Sequence, residues 1–364
     1  MSKIEYRNLG RSGLRVSQLC LGAMMFGNQT DEATSRSVIA SARDAGLNFI
    51  DTADVYADGR SEQIVGNAIH AERDRWVVAT KVGFLADPML PAGPDLSRKN
   101  LMRAASDSLR RLDTDYIDIY YLHRDDPHTA LEETVHALAE LLAQGRIRYI
   151  GVSNFSAWRL AEMVRLCDEA GIDRPVACQP VYNAMNRMAE GELFPACQHY
   201  GIGVVPYSPL ARGILTGKYE NLDALPEGSR AARKDRRMLQ TELRSESIAL
   251  AQEIRRFAEA RGIKTSHLAL QWVLNSAAVT SAICGPRTMA QWEDYLAALE
   301  APVFSAEAEE LVNRLVPAGH PSTPGYTDPN YPVRGRQPRD YGVRSCLLPP
   351  PVRGSGVGVR SQYR

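Results

Sequence analysis

Eight short apolar runs, each followed by a polar turn and then a segment with helical spacing, constrain this chain more than any other feature. The runs are LCLGA (19–23), NFIDT (48–52), WVVATK (76–81), YIDIYYLH (116–123), YIGVSN (149–154), VACQP (176–180), GVVPYS (203–208) and TSAICG (280–285). Most are apolar along nearly their whole length, the pattern of strands covered on both faces in a parallel sheet. Between them, DEATSRSVIASARDAG (31–46), SRKNLMRAASDSLRRLD (97–113), LEETVHALAELLAQG (131–145), SAWRLAEMVRLCDEAG (156–171) and SIALAQEIRRFAEARG (247–262) place apolar and small residues at helical spacing. Asp31 and Ser97 are candidate N-terminal caps, and Gly46, Gly171 and Gly262 are candidate stops. Eight such alternations predict an α/β chain folded as a (β/α)8 TIM barrel. A doubly wound sheet would usually carry GxGxxG after its first strand. Here the first strand runs into GAMMFGN (22–28), and the GSGVG at 354–358 has no strand before it.

YRNLGRSGLRVS (6–17) reads as a β-hairpin placed to plug the bottom of the barrel. Long loops are predicted after the third strand (83–97) and after the seventh (about 211–245), on the face where barrels carry their active sites. Residues 1–318 are read as a single barrel domain. Residues 319–364 form a Pro/Gly/Arg-rich extension that could drape over the mouth, its last part expected to be disordered.

Lysine plus arginine equals aspartate plus glutamate, 43 each, so no net field favours nucleic acid or an anionic membrane. The six cysteines (20, 167, 178, 197, 284, 346) show neither CxxC pairs nor zinc-ligand spacing, so no metal is expected. They read as reduced thiols. No run approaches the ~18 apolar residues of a membrane span, and the N-terminus lacks the apolar core of a signal peptide. A cytoplasmic protein is the expectation. Exposed barrel helices do not announce an interface, which leaves the oligomeric state open.

On a barrel, strand ends become specific places. The second strand ends in Asp51, with Tyr56 on the loop beyond; the third ends in Lys81 and the fourth in His123. A phenol, with an ordinary pKa of about 10, is a poor acid at neutral pH. An adjacent ammonium favours the phenolate, and a carboxylate can hold that ammonium in place. An imidazole can orient a carbonyl oxygen or relay a proton. Together, the four could protonate an oxygen that becomes negative as hydride reaches carbon. Singly, each has a plainer role: Asp51 as a cap, Lys81 as a surface charge, Tyr56 as packing, His123 as a loop histidine.

These residues sit in NFIDTADVYADGRSEQIVG (48–66), ATKVG (79–83), DYIDIYYLH (115–123), IRYIGVSNF (147–155), PYSPLARGILTGKY (206–219) and ICGPRTMAQWEDYLAAL (283–299). In that order, over about residues 4–316, the chain resembles the aldo-keto reductases. The resemblance implies a barrel that binds NADPH without a Rossmann fold, and the tetrad Asp51, Tyr56, Lys81 and His123. It places Gly22, Ala23 and Met24 beside the nicotinamide ribose. Ser153, Asn154 and Gln179 fall on the carboxamide, with Tyr207 stacked on the ring. Asp51 doubles as a cofactor contact. Ser208, Leu210 and Lys218 match positions around the pyrophosphate and adenosine. Gly285, Arg287, Thr288 and Gln291 open a helix whose free N–H groups and arginine suit the 2′-phosphate of NADPH. Asp294 is placed on the adenine amino group. Next to it, Tyr295 departs from the Glu-Asn that many relatives carry.

Met25, Phe26, Phe84, Phe155 and Tyr182 are candidates for an apolar substrate pocket, although each could equally be core. The resemblance implies an NADPH-dependent reductase of aldehydes or ketones. Its alternative is an NADPH-binding regulatory or channel-associated subunit with little turnover, against which the complete tetrad argues.

Overall fold

The computed structural model describes residues 4–84, 93–301 and 305–331. β1 (Tyr6–Asn8) and β2 (Arg15–Ser17) form an antiparallel hairpin. The remaining strands are β3 (Leu19–Gly22), β4 (Phe49–Asp51), β5 (Val77–Val82), β6 (Ile117–Leu122), β7 (Ile147–Ser153), β8 (Ala177–Gln179), β9 (Gly203–Val204) and β10 (Ala282–Cys284). They pair in parallel in the order β10-β3-β4-β5-β6-β7-β8-β9. Closure between the outer two comes from a parallel bridge, Val204 to Val279, and from the amides of Thr280 and Ile283, which donate to the carbonyls of Val204 and Pro206 at 2.8 and 2.9 Å. The fold is therefore a (β/α)8 barrel with an N-terminal hairpin, each strand lying within the run predicted for it or overlapping it closely.

Side-chain direction alternates along each strand, and two apolar cores result. Cys20, Phe49, Val77, Ala79, Ile119, Tyr121 and Ala177 point inward and pack with Leu9 and Val16 of the hairpin, which closes the bottom. Leu19, Leu21, Ile50, Val78, Tyr120, Leu122, Ile150 and Val152 point outward and pack against the helices. Following the inward row to its upper end leads directly from Phe49 to Asp51, from Ala79 to Lys81 and from Tyr121 to His123.

The helices start and stop as their local chemistry dictates. Asp31 caps Glu32–Asp44, accepting from the Thr34 amide at 2.7 Å, and Ser97 caps Arg98–Leu112 through the Asn100 amide. Gly171, at φ +66°, ends Ala157–Ala170. The segment after the seventh strand holds two full helices, Ser245–Glu259 and Thr265–Leu274, where the periodicity indicated one. The second is buried nearly all round, which erases the amphipathic signal that would have announced it.

In the C-terminal extension, Pro321 bridges to Asn186, the Ser322 amide donates to the Met185 carbonyl, and Asp328 pairs with Arg237 at 2.6 Å. Residues 332–364 lie outside the described residues, as do 85–92 of the loop after β5. Among the described residues no helix is long and apolar enough to cross a membrane, and Cys20, Cys167, Cys178, Cys197 and Cys284 are unbridged.

Gly66 lies on helix Arg60–Ile69, which follows Tyr56, where that helix meets the end of Arg98–Leu112; a Cβ there would come within 2.3 Å of the Leu112 carbonyl oxygen. Backbone cannot yield as a flexible side chain can. Gly66→Ala should destabilise the protein by about 1–3 kcal/mol, measured as a lower urea midpoint with unchanged slope. An unchanged midpoint would show that the two helices do not pack this closely.

Candidate functional site

Lys81 is fully buried, and the three donors of its ammonium meet three acceptors: Asp51 Oδ1 at 2.5 Å, the Thr52 carbonyl at 2.7 Å and the Tyr56 hydroxyl at 3.3 Å. The second oxygen of Asp51 accepts from Gln179 Nε2 at 2.8 Å. A charge of each sign is thus buried inside the barrel with its hydrogen-bonding capacity answered, the condition under which a buried ion pair is tolerated. Burial pushes the Asp51 carboxyl up, and the Lys81 ammonium opposes it. Because the phenol oxygen accepts from Lys81, the phenolic proton is directed away from the lysine.

His123 completes the group. Its ring lies edge-on to Tyr56, with centroids 5.8 Å apart, and edge-on to Phe84 at 5.2 Å. Burial, then the charges of Lys81 and Arg124, hold its pKa well below the ordinary histidine value. The imidazole is accordingly neutral at physiological pH, and its buried Nδ1 has no hydrogen-bond partner in the structure.

The loop that presents Tyr56 turns through consecutive left-handed residues, Ala57 (φ +49°) and Asp58 (φ +54°), before Gly59. Asn154 and Ser208, beyond the ends of β7 and β9, are also left-handed, at φ +57° and +59°. Non-glycine residues in this region are uncommon and gather at binding sites. Asn154 is tied down by its own contacts: its amide donates to the His123 carbonyl at 2.9 Å, and its oxygen accepts from the Tyr207 hydroxyl at 2.9 Å.

These groups open into a cavity of about 560 Å3 at the upper end of the barrel. Of the predicted residues, Gly22, Met24, Asp51, Tyr56, Phe84, His123, Ser153, Asn154, Gln179, Tyr207, Ser208, Leu210, Lys218, Gly285, Arg287, Gln291 and Asp294 line it. Others lie outside its lining. Ala23 is buried beneath, its carbonyl accepting from Ser61. Phe26 and Phe155 are core residues, and Tyr182 stacks on Trp272 and donates to Glu190 at 2.7 Å. Met25 is buried, its sulfur 3.9 Å from Arg230. An apolar run contains both core and pocket aromatics, and sequence pattern alone does not separate them.

At the mouth, two of the predicted residues are engaged within the protein itself. Thr288 does not line the cavity; it caps helix Met289–Ala297 by accepting from the Gln291 amide, while Gln291 Oε1 accepts from the Arg287 amide at 2.9 Å. Two of the N–H groups expected to be available there are therefore already engaged. Both oxygens of Asp294 are taken as well, Oδ1 by Lys264 and His267 at 2.9 Å and Oδ2 by Ser266 at 3.0 Å. Its partial burial opposes ionisation, but these bonds outweigh it and hold the carboxyl below its ordinary range.

The sequence reading missed Arg230, which lines the cavity beside Lys218 and Arg287. Burial and then the charges of Arg287, Arg230 and Arg233 lower the pKa of Lys218; burial and Arg233 lower that of Arg287, and burial with Arg212 and Arg287 lowers that of Arg230 against Asp235. Cations that depress one another in this way form a site suited to an anion. Only the position of Arg230 in the insertion after β9 could have marked it.

The sequence profile of the Aldo/keto reductase family matches residues 18–316. The chain belongs to the aldo/keto reductase family. Among similar proteins, a probable voltage-gated potassium channel subunit beta of Arabidopsis thaliana is 37% identical over 320 residues, covering 85% of this chain and 97% of that protein. An uncharacterized oxidoreductase of Bacillus subtilis (strain 168) is 36% identical, over 88% of this chain and 98% of its own. An L-glyceraldehyde 3-phosphate reductase of Escherichia coli O157:H7 is 34% identical, over 87% and 94%.

Behind Tyr56 lies a second buried acid group. Glu62 is fully buried, held by Thr80 at 2.5 Å and Arg111 at 2.6 Å, and Asp54 nearby has a buried Oδ1 without a partner. Burial and the Glu62 charge, against Arg111, raise the Asp54 carboxyl to about 7. The folded state then binds a proton that the unfolded state has released, so this contribution to stability is lost as pH rises through about 7. Melting temperature should fall from pH 5 to pH 8 in the wild type relative to Asp54→Asn, and the variant should be the more stable above pH 8. Parallel profiles would show that Asp54 does not titrate in this window.

Proposed function

We propose that the protein is an NADPH-dependent reductase of aldehydes or ketones in which Tyr56 is the proton donor. The carrying observation is the buried Lys81, whose ammonium joins Asp51 to the Tyr56 hydroxyl. When bound, the nicotinamide would supply hydride to the carbonyl carbon. Tyr56 would give its proton to the carbonyl oxygen, leaving a phenolate that the adjacent ammonium stabilises. Asp51 holds the Lys81 ammonium in place, while neutral His123 can hydrogen-bond the substrate oxygen and orient it.

The residues present fit the cofactor. At Gly22 any Cβ would stand 2.7 Å from Ile283, consistent with a floor kept low for a close backbone approach. Tyr207 is fixed by Asn154 and lines the same cavity, where its ring would stack on the nicotinamide. Lys218, Arg230 and Arg287 form an anion site suited to the dinucleotide phosphates, and Arg287 is assigned to the 2′-phosphate. Thr288 would then act through helix capping instead of direct contact. Asp294 would meet the adenine only by giving up one of its present partners.

A second reading is suggested by the channel-subunit relative: an accessory protein that binds NADPH with little turnover. The complete proton-delivery group favours the enzyme. NADPH consumption with a panel of aldehydes, ketones and quinones separates the two, since an accessory subunit would bind NADPH while consuming almost none.

Tyr56→Phe should lower kcat by about 10²–10⁴-fold and leave the dissociation constant for NADPH nearly unchanged. Turnover near the wild-type level in that variant would remove Tyr56 as the acid. Arg287→Ala should raise KM for NADPH by about tenfold with little change for NADH, and equal losses with both would remove the 2′-phosphate assignment.

A further inference from the structure

Arg124 follows His123 directly, beyond the end of β6, and lines the cavity at the end that holds Tyr56, His123 and Phe84. Its guanidinium carbon lies 5.4 Å from the Phe84 ring centroid and 5.6 Å from that of Tyr331, so aromatic groups from two loops flank it. Its Nε is buried and meets no hydrogen-bond partner. The neighbouring carboxylates are engaged elsewhere: Asp125 pairs with Arg159 at 2.8 Å, and Asp126 accepts from the amides of Leu96 and His128 and from the Thr129 hydroxyl.

The other cavity arginines are accounted for differently. Arg237 pairs with Asp328, Arg212 donates to Thr241 at 3.1 Å, and Arg230 and Arg287 stand with Lys218 in the cluster assigned to the cofactor phosphates. Arg124 is set apart from that cluster, next to the groups that would handle the carbonyl. The residue lines the cavity, so a group that enters beside Tyr56 and His123 meets a guanidinium there. A guanidinium offers planar, paired donors matched to a carboxylate or phosphate.

We infer that Arg124 is a specificity-determining residue which binds an anionic group on the substrate, so that the preferred carbonyl compounds carry a carboxylate or phosphate. The inference rests on the carbonyl-reductase reading above and names its substrate class. The flanking rings of Phe84 and Tyr331 lie within cation–π distance of the guanidinium and help to fix its place.

Matched pairs test this, with NADPH saturating: succinic semialdehyde against its methyl ester, and glyceraldehyde 3-phosphate against glyceraldehyde. In the wild type, kcat/KM should favour the charged member of at least one pair by about tenfold or more, and the pair with the larger ratio identifies the anion. In Arg124→Gln that ratio should fall toward one, chiefly through KM, and Arg124→Lys should restore part of it. A ratio of one for both pairs in the wild type would overturn the inference. So would a ratio unchanged in Arg124→Gln, or an equal rise in the NADPH KM with every substrate, which would put the guanidinium on the cofactor.

If no substrate is turned over, the reductase reading fails and the anion site is tested by binding alone. Benzoate and phenyl phosphate, compared with benzyl alcohol, should raise the melting temperature of NADPH-bound wild type but not of Arg124→Gln. No anion-specific rise in the wild type would overturn the site itself.

Discussion

A lysine closed off from water inside a barrel is the constraint around which the upper half of this molecule is arranged. Its ammonium could not remain there without Asp51, and the pair could not remain without Gln179 and the Thr52 carbonyl to complete its hydrogen bonds. Breaking such a pair by removing one partner typically costs about 3–5 kcal/mol, because the other charge is left buried alone. An apolar pair of similar volume could fill the space as well or better. The stability of the fold therefore does not explain why charges occupy it. What the charges achieve is a fixed positive group within reach of a phenol at the barrel mouth.

The position of that lysine follows from the two-residue period of a strand. Phe49 and Asp51, Ala79 and Lys81, and Tyr121 and His123 stand in the same inward rows, the first of each pair in the apolar core and the second above it; Asp51 and His123 line the cavity, while Lys81 is buried beside them. The strands were legible because eight apolar runs alternate with segments of helical spacing, a pattern that favoured a barrel over a doubly wound sheet, and the strand ends followed from it. Asp31, Ser97 and Gly171 marked limits of three helices for equally local reasons.

What the sequence concealed depends on long-range neighbours. Phe26 and Tyr182 are as apolar as a pocket residue should be, yet they pack into the layer between strands and helices. Asp294 reads as an available acceptor until Lys264, Ser266 and His267 are folded against it. Arg230 comes from a segment whose path no periodicity describes, and its place on the cavity wall emerges only in three dimensions. The helix Thr265–Leu274 was hidden because burial all round leaves no polar face to set the period.

The tie between Arg237 and Asp328 brings Asn330 and Tyr331 over the opening, so part of the cavity wall comes from chain that follows the last barrel strand. The proton-handling groups, by contrast, sit on β4 and β5, on the short loop beyond β4 and on the first residue after β6. Part of the surface that meets a substrate is thus carried by a stretch of polypeptide separate from the one that carries the chemistry. A descendant could acquire a new taste in molecules by rewriting its ending, while the reaction at the rim went on untouched.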